Sequence, residues 1–223
     1  PGIGKSRFAR EAASLAAGRG VEVFWAFCES HARDVPFHAA AQLLRASREL
    51  LRAGTPDADP EDLLLLDDLL GIADPEMPLP QIDPDARRRR LTALINTASL
   101  ARRDPVLFVI EDAHWVDGIS ESMLADFLTV ISRTPTIVLI TARPEYEGAL
   151  VRARGAQTIA LAPLGNSDIA ALLGQLLGAD PSVTELATII AERAGGNPFF
   201  AEEMVRELVH RGDDRGGKIV ARR

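Results

Sequence analysis

The sequence predicts an α/β fold, with a parallel-sheet core followed by a small helical subdomain. Three observations predict it. Short apolar runs of strand length alternate with stretches of helical periodicity as far as Pro163. Two of those runs, Val106–Ile110 (VLFVI) and Thr136–Thr141 (TIVLIT), are unbroken, as expected of parallel strands covered on both faces. Beyond Pro163 three helical stretches follow with no long strand-like run between them.

Residues 5–17 read as a helix with Phe8, Ala12 and Leu15 on one face and Gly18 as its stop. Val21–Phe27 is rich in β-formers and reads as a strand. A long insert of helix and loop, 30–84, comes next. Inside it, Asp59-Pro60-Glu61-Asp62 carries a cap, a first-turn proline and acids at the positive dipole end; LLLLDDLL continues that helix to Gly71. Residues 72–84 hold four prolines and read as a loop. Asp83-Pro84-Asp85 opens a helix running to about Arg103, and another is expected at about 119–132. Thr158–Leu161 (TIAL) reads as a short strand. The last helices are expected at 167–177, 182–194 and 198–211. Their start signals are Asn166/Ser167, Asp180-Pro181 and Asn197-Pro198, and their stops Gly178, Gly195 and Gly212. The expected organisation is a core over 1–164, a helical part over 165–212 and a loose tail over 213–223.

Composition narrows the function. The 223 residues are 47% hydrophobic and 26% charged, enough to bury a core and too apolar for a disordered chain. No apolar run approaches the roughly 18 residues of a membrane span, so no membrane partner is expected. The net charge of −7 speaks against direct nucleic-acid binding by this segment. A single cysteine, Cys28, forms no disulfide within the chain and fits a reducing, cytoplasmic setting. The chain opens on Pro1 inside a motif, so a fragment of a longer protein is expected.

That opening motif is PGIGKS. Gly4-Lys5-Ser6 supplies the last three positions of the phosphate-binding loop pattern G-x-x-x-x-G-K-[ST]. Gly2 and Gly4 let the backbone curl so that N–H groups point at phosphate oxygens. Lys5 places a cation on the β- and γ-phosphates, Ser6 offers a hydroxyl to Mg²⁺, and the helix starting here adds its positive end. Pro1, Gly2, Ile3, Gly4, Lys5, Ser6 and Arg7 are the candidate nucleotide-binding residues at this end. The second motif is VLFVIEDAHWVD, 106–117. An apolar strand ending in acids is how nucleotide hydrolases hold Mg²⁺ and aim a water. Glu111 stands where Mg²⁺ is contacted, and Asp112 where the attacking water is oriented. The third, TIVLITARPE, brings Thr141 and Arg143 out at the end of a strand, where α/β folds bind ligands; Arg143 is a candidate for meeting γ-phosphate charge. The fourth, GGNPFFAEEMVREL, is in itself a good helix start.

Together and in this order, PGIGKSRFA, VIEDAHWVD, LITARPE and GGNPFF resemble the STAND class of P-loop NTPases, the signal-transduction ATPases related to AAA+ proteins. They look most like the bacterial group found in large LuxR-type transcriptional regulators and beside adenylate/guanylate cyclase domains. The resemblance covers about residues 1–211. It implies a P-loop NTPase core with sheet order 5-1-4-3-2, then a helical lid and a winged helix. It also implies ATP and Mg²⁺ as cofactors, Pro198 near the adenine and Arg143 near the γ-phosphate. His114 and Trp115 match the group's pattern without a role that follows from the residues. The first loop glycine and the central first strand are absent, and the chain stops where the winged helix would continue.

The function expected is a regulatory switch in which binding of ATP and Mg²⁺ closes the lid and slow hydrolysis to ADP reopens it. Its output domain, DNA-binding or cyclase, would lie elsewhere in the parent protein, with self-association open. The alternative is a non-hydrolysing nucleotide-binding scaffold with a degenerate site. His31, His38 and His210 show no ligand spacing. Cys28 reads as a small buried residue, and Arg87–Arg90 as a solvated helix face whose alternative is a subunit or nucleic-acid contact.

Overall fold

Strand β2 (Val106–Glu111) lies in the middle of a parallel sheet, paired with β1 (Glu22–Phe27) on one side and β3 (Thr136–Ile140) on the other. The computed structural model describes residues 2–178 and 184–213. By internal contacts the chain divides into two units, Ala9–Thr158 and a second made of Pro1–Phe8 with Ile159–Arg223. The fold is α/β, a parallel sheet flanked by helices, with a helical subdomain after it.

Every residue of β2 is buried, and its alternation explains the unbroken apolar run. Val106, Phe108 and Ile110 face one layer, with Leu43 of α2 (His38–Ala46) and Leu124, Phe127 and Leu128 of α6 (Gly118–Val130). Phe108 meets Phe127 edge-on, with ring centroids 5.6 Å apart. Leu107 and Val109 point the other way, onto Ala9 and Ala13 of α1 (Lys5–Ala17). That corrects the expected face of α1. The alanines are buried, whereas Phe8 and Leu15 are 43% and 65% exposed. Small side chains let the helix axis lie close to the strand, and the larger residues turn outward. β3 is likewise less buried than expected, with Ile137 68% exposed at the sheet edge.

The insert adds α3 (Arg48–Gly54), α4 (Pro60–Leu69) and α5 (Pro84–Ala101). Both expected starts are present: Asp59 accepts the Glu61 N–H and Asp83 the Ala86 N–H, each at 2.8 Å. Leu51, Leu65, Leu66, Leu91 and Leu94 make a second core with Met123 of α6. Arg87–Arg90 is not simply a solvated face. Arg87 pairs with Asp68 at 2.6 Å, Arg88 with Asp126 at 3.3 Å, and Arg90 with Glu61 at 2.8 Å and with Asp62. The acids of α4 and α6 neutralise three of these four arginines within the chain. Such half-exposed pairs fix register more than they stabilise.

TIAL forms no strand. Residues 158–161 have no regular secondary structure and no ladder partner among the described residues, and Ile159 is 66% exposed. β-forming side chains alone do not make a strand when no neighbouring backbone accepts their hydrogen bonds. In the other unit, α7 (Asn166–Leu177), α8 (Thr184–Ala194) and α9 (Pro198–Asp213) pack through Ile169, Leu173, Ile190, Ala201 and Val205. Helix α9 runs through Gly212, the expected stop, to Asp213. The Asp180-Pro181 start and the tail over 214–223 lie outside the described residues.

One buried carboxylate ties the helical layer together. Asp117, 3% exposed, caps α6 by accepting the Ser120 N–H at 2.8 Å and also accepts the Phe37 and Ala39 N–H groups that open α2, at 3.0 and 3.4 Å. Asp117→Ala is expected to cost about 3 kcal/mol in denaturant unfolding, because charged hydrogen bonds at two helix starts go together. An unchanged midpoint would contradict the double-cap role.

Candidate functional site

The glycine loop at the amino terminus has the backbone its sequence asks for. Gly2 and Gly4 sit at φ +76° and +98°, in the left-handed region open to glycine. Helix α1 then begins at Lys5, so Lys5, Ser6 and Arg7 occupy its first turn. Helix geometry directs the first-turn N–H groups and the positive end of the dipole toward this loop. Ile3 lies between the two glycines, and Pro1 lies outside the described residues.

Within the same unit the loop touches the start of α9. The Phe199 N–H reaches the Gly2 carbonyl at 3.4 Å and the Asn197 Oδ1 at 3.1 Å. A Cβ at Gly2 would stand 2.8 Å from Asn197 Oδ1 and 2.9 Å from Phe199 Cβ, and one at Gly4 would be 4.0 Å from Pro198 Cγ. Pro198 therefore neighbours the glycine loop. Asn197 does so too, although the sequence marked it only as a helix cap. Its contact partner is Gly2, at the far end of the chain, and no local pattern reveals such a pairing.

In the other unit, the carboxyl end of the sheet presents the acidic motif. β2 ends at Glu111, which is 5% exposed. Its carbonyl accepts the Cys28 N–H at 2.9 Å, one residue beyond β1. On the other side the Thr141 N–H donates to the Ile110 carbonyl at 2.9 Å. The chain then turns through Asp112 at φ +54°, a left-handed conformation that Asp tolerates better than most residues. Thr141 holds the turn: its Oγ1 accepts the Asp112 N–H at 3.0 Å and its carbonyl the Ala113 N–H at 2.8 Å. The turn leaves the Asp112 side chain about half exposed, 3.9 Å from His114 Nδ1. Thr141, buried at 6%, is the positioning residue here that the sequence registered only as a polar strand end.

Arg143 leaves the end of β3 two residues later, and its guanidinium lies over the Trp115 ring, 5.5 Å from the centroid. The Tyr146 N–H closes the turn on the Arg143 carbonyl at 3.0 Å, and the Tyr146 hydroxyl is anchored to Glu121 at 2.6 Å. Burial and the Glu121 carboxylate push the Tyr146 hydroxyl's pKa up. Cys28 is 5% exposed, and its thiol is pushed up to about 12 by burial and then by the charges of Asp117 and Asp112. It is the small buried residue expected, not a nucleophile.

The donor set suits a metal-bound nucleoside triphosphate. Within the unit that holds the loop, glycines at positive φ with one lysine and one serine in a helix's first turn match a polyphosphate; within the other, a buried glutamate and a half-exposed aspartate at a strand end are oxygen donors of the kind a hard cation takes. Among the described residues no group of three His, Cys, Asp or Glu side chains is placed to hold a metal by itself. No helix among the described residues is long and apolar enough to cross a membrane.

Comparison with known proteins agrees with this chemistry. A family model described as AAA ATPase domain matches residues 1–140. A second model, described as a domain of unknown function, matches residues 165–212. An uncharacterized protein of Rhizobium meliloti (strain 1021) is 30% identical over 127 residues, 55% of this chain. The match spans 12% of that relative's length.

The Gly2 contacts generate a prediction. Gly2→Ala forces a left-handed alanine and a Cβ against Asn197 and Phe199. It is expected to lower thermal stability of the unit carrying α7–α9, by about 1–3 kcal/mol. Lys5→Ala, which leaves the loop backbone alone, is expected to leave that stability within about 0.5 kcal/mol. Equal melting of Gly2→Ala and the unsubstituted chain would contradict the close approach.

Proposed function

The chain belongs to the AAA ATPase domain family, a family of nucleotide-binding ATPases, and we propose from that membership that it is an ATP-binding regulatory switch. In this reading the module belongs to the STAND class and serves a larger bacterial signalling or transcription-regulatory protein in the cytoplasm. It binds ATP, hydrolyses it slowly and holds ADP afterward. The output domain, DNA-binding or cyclase, lies elsewhere in the parent protein, and self-association is one route to output. The nucleotide-binding core is assigned to 1–164 and the lid to 165–212.

The observation that carries the reading is the loop-to-helix junction: Gly2 and Gly4 at positive φ, followed at once by a helix with Lys5 and Ser6 in its first turn. Lys5 would neutralise the β- and γ-phosphates while the loop amides line the phosphate oxygens, with Pro1, Ile3 and Arg7 flanking. Ser6 and Glu111 would hold Mg²⁺, which supplies charge neutralisation on the phosphate oxygens when bound. Asp112 orients the attacking water and accepts its proton. Its left-handed turn, fixed by Thr141, aims a half-exposed carboxylate off the sheet end while Glu111 stays buried. Arg143 meets the γ-phosphate and Pro198 lies beside the adenine. Nucleotide that binds one lid position better than another shifts the population between them, which is the output of a switch.

Asp112→Asn keeps the shape and removes the base. It is expected to leave Mg-ATP affinity within about 3-fold and to reduce turnover by about 100-fold or more. The measurement is phosphate release alongside equilibrium ATP binding. Binding without turnover in the unsubstituted chain would favour the non-hydrolysing scaffold. Loss of binding and turnover together in Asp112→Asn would contradict the role given to Asp112.

A further inference from the structure

The motif after β2 carries two residues, His114 and Trp115, that the reaction leaves without work. Their contacts form a line. The Asp112 carboxylate is 3.9 Å from His114 Nδ1. The His114 ring centroid is 5.1 Å from that of Trp115, at 44°. The Arg143 guanidinium sits 5.5 Å from the Trp115 centroid, inside the range of a cation–π contact. The backbone completes the circuit, because Thr141, two residues before Arg143, takes the Asp112 N–H on its hydroxyl. His114 and Trp115 thus bridge the ends of β2 and β3 on the side-chain level as Thr141 does on the backbone level.

We propose that Trp115 is a positioning residue for Arg143, its indole face holding the guanidinium at the carboxyl end of the sheet, with His114 bracing the ring toward Asp112. An arginine on an exposed turn has several rotatable bonds, and each free rotamer dilutes the one that meets a phosphate. A fixed aromatic face removes that dilution without consuming a hydrogen-bond donor, so all five N–H groups stay available for the anion. The backbone of Arg143 is already fixed by the Tyr146 turn and the Glu121 anchor. Trp115 supplies the restraint on the side chain. The ring also packs at the edge of the main core, so a purely structural role makes a different prediction. The inference rests on the reading of Arg143 as the group that meets the γ-phosphate.

The test uses the full chain with Trp25→Phe, which leaves Trp115 as the one indole of the two in the sequence. Its readouts are indole emission without nucleotide and affinities for Mg-ATP and Mg-ADP. Arg143→Met is expected to change the Trp115 emission and to lower the preference for ATP over ADP by about 10-fold. Trp115→Leu is expected to lower that preference by about 3- to 10-fold with ADP affinity held, and Trp115→Phe to restore most of it. Added to Arg143→Met, Trp115→Leu is expected to lose nothing further. Emission indifferent to Arg143→Met overturns the contact. A Trp115→Leu variant that weakens ATP and ADP alike, or that keeps the preference which Arg143→Met loses, overturns the positioning role and leaves the proposed function standing. An ATP preference that survives Arg143→Met defeats the reading of Arg143 and the inference with it. Absence of any nucleotide binding by the unsubstituted chain defeats both at once.

Discussion

Strand β2 is apolar on both faces and hydrogen-bonded along both edges, so the place where it ends is fixed from four directions. Phe108 and Ile110 are locked under α2 and α6, and Leu107 and Val109 under the alanine face of α1. The Glu111 carbonyl is taken by Cys28, and the Ile110 carbonyl by Thr141. A one-residue slip of the strand would draw an acid into the apolar layers and break the hydrogen bonds that Cys28 and Thr141 make at the strand end. Its register sets which carboxylate stays under the sheet edge and which emerges. Glu111 remains buried, and the left-handed turn at Asp112 carries the next acid outward. The contacts at the sheet's carboxyl end, Thr141 on Asp112 and Arg143 on Trp115, follow from that register.

Much of this was legible in the sequence, for physical reasons. VLFVI could be read because a strand covered on both faces needs no polar alternation, and Asp59-Pro60 and Asp83-Pro84 because capping is local chemistry. The glycine loop could be read because positive φ has few suppliers. What escaped depends on partners distant in sequence. The buried face of α1 is its alanines because a close strand selects small side chains, a preference hydrophobicity alone reverses. The arginines of α5 find acids of α4 and α6 that periodicity does not pair with them. Asp117 looks like one cap and serves two helices that start about 80 residues apart. TIAL has strand composition and no neighbour among the described residues to make it one.

The family to which the chain belongs and the local backbone geometry are compatible with the same chemistry. The motifs place a cation, a hydroxyl and two acids in the order used by nucleotide hydrolases. The backbone gives the loop its positive-φ glycines and the acidic turn its left-handed residue. The switch reading adds that the helical unit responds to nucleotide. The Gly2 contact with Asn197 and Phe199 is suited to that, since a phosphate drawn into the loop meets the same backbone that meets α9.

The decisive measurement is thermal unfolding of this chain with and without saturating Mg-ATP, with Lys5→Ala in parallel. Ligand at about 100 times its Kd stabilises the folded state by about 2.7 kcal/mol. For a chain of this length that corresponds to a rise of roughly 5–10 °C in Tm. The expected result is such a rise in the unsubstituted chain and its loss in Lys5→Ala. A cooperative transition that Mg-ATP does not move, or that moves equally without the lysine, would contradict a phosphate site built on the glycine loop.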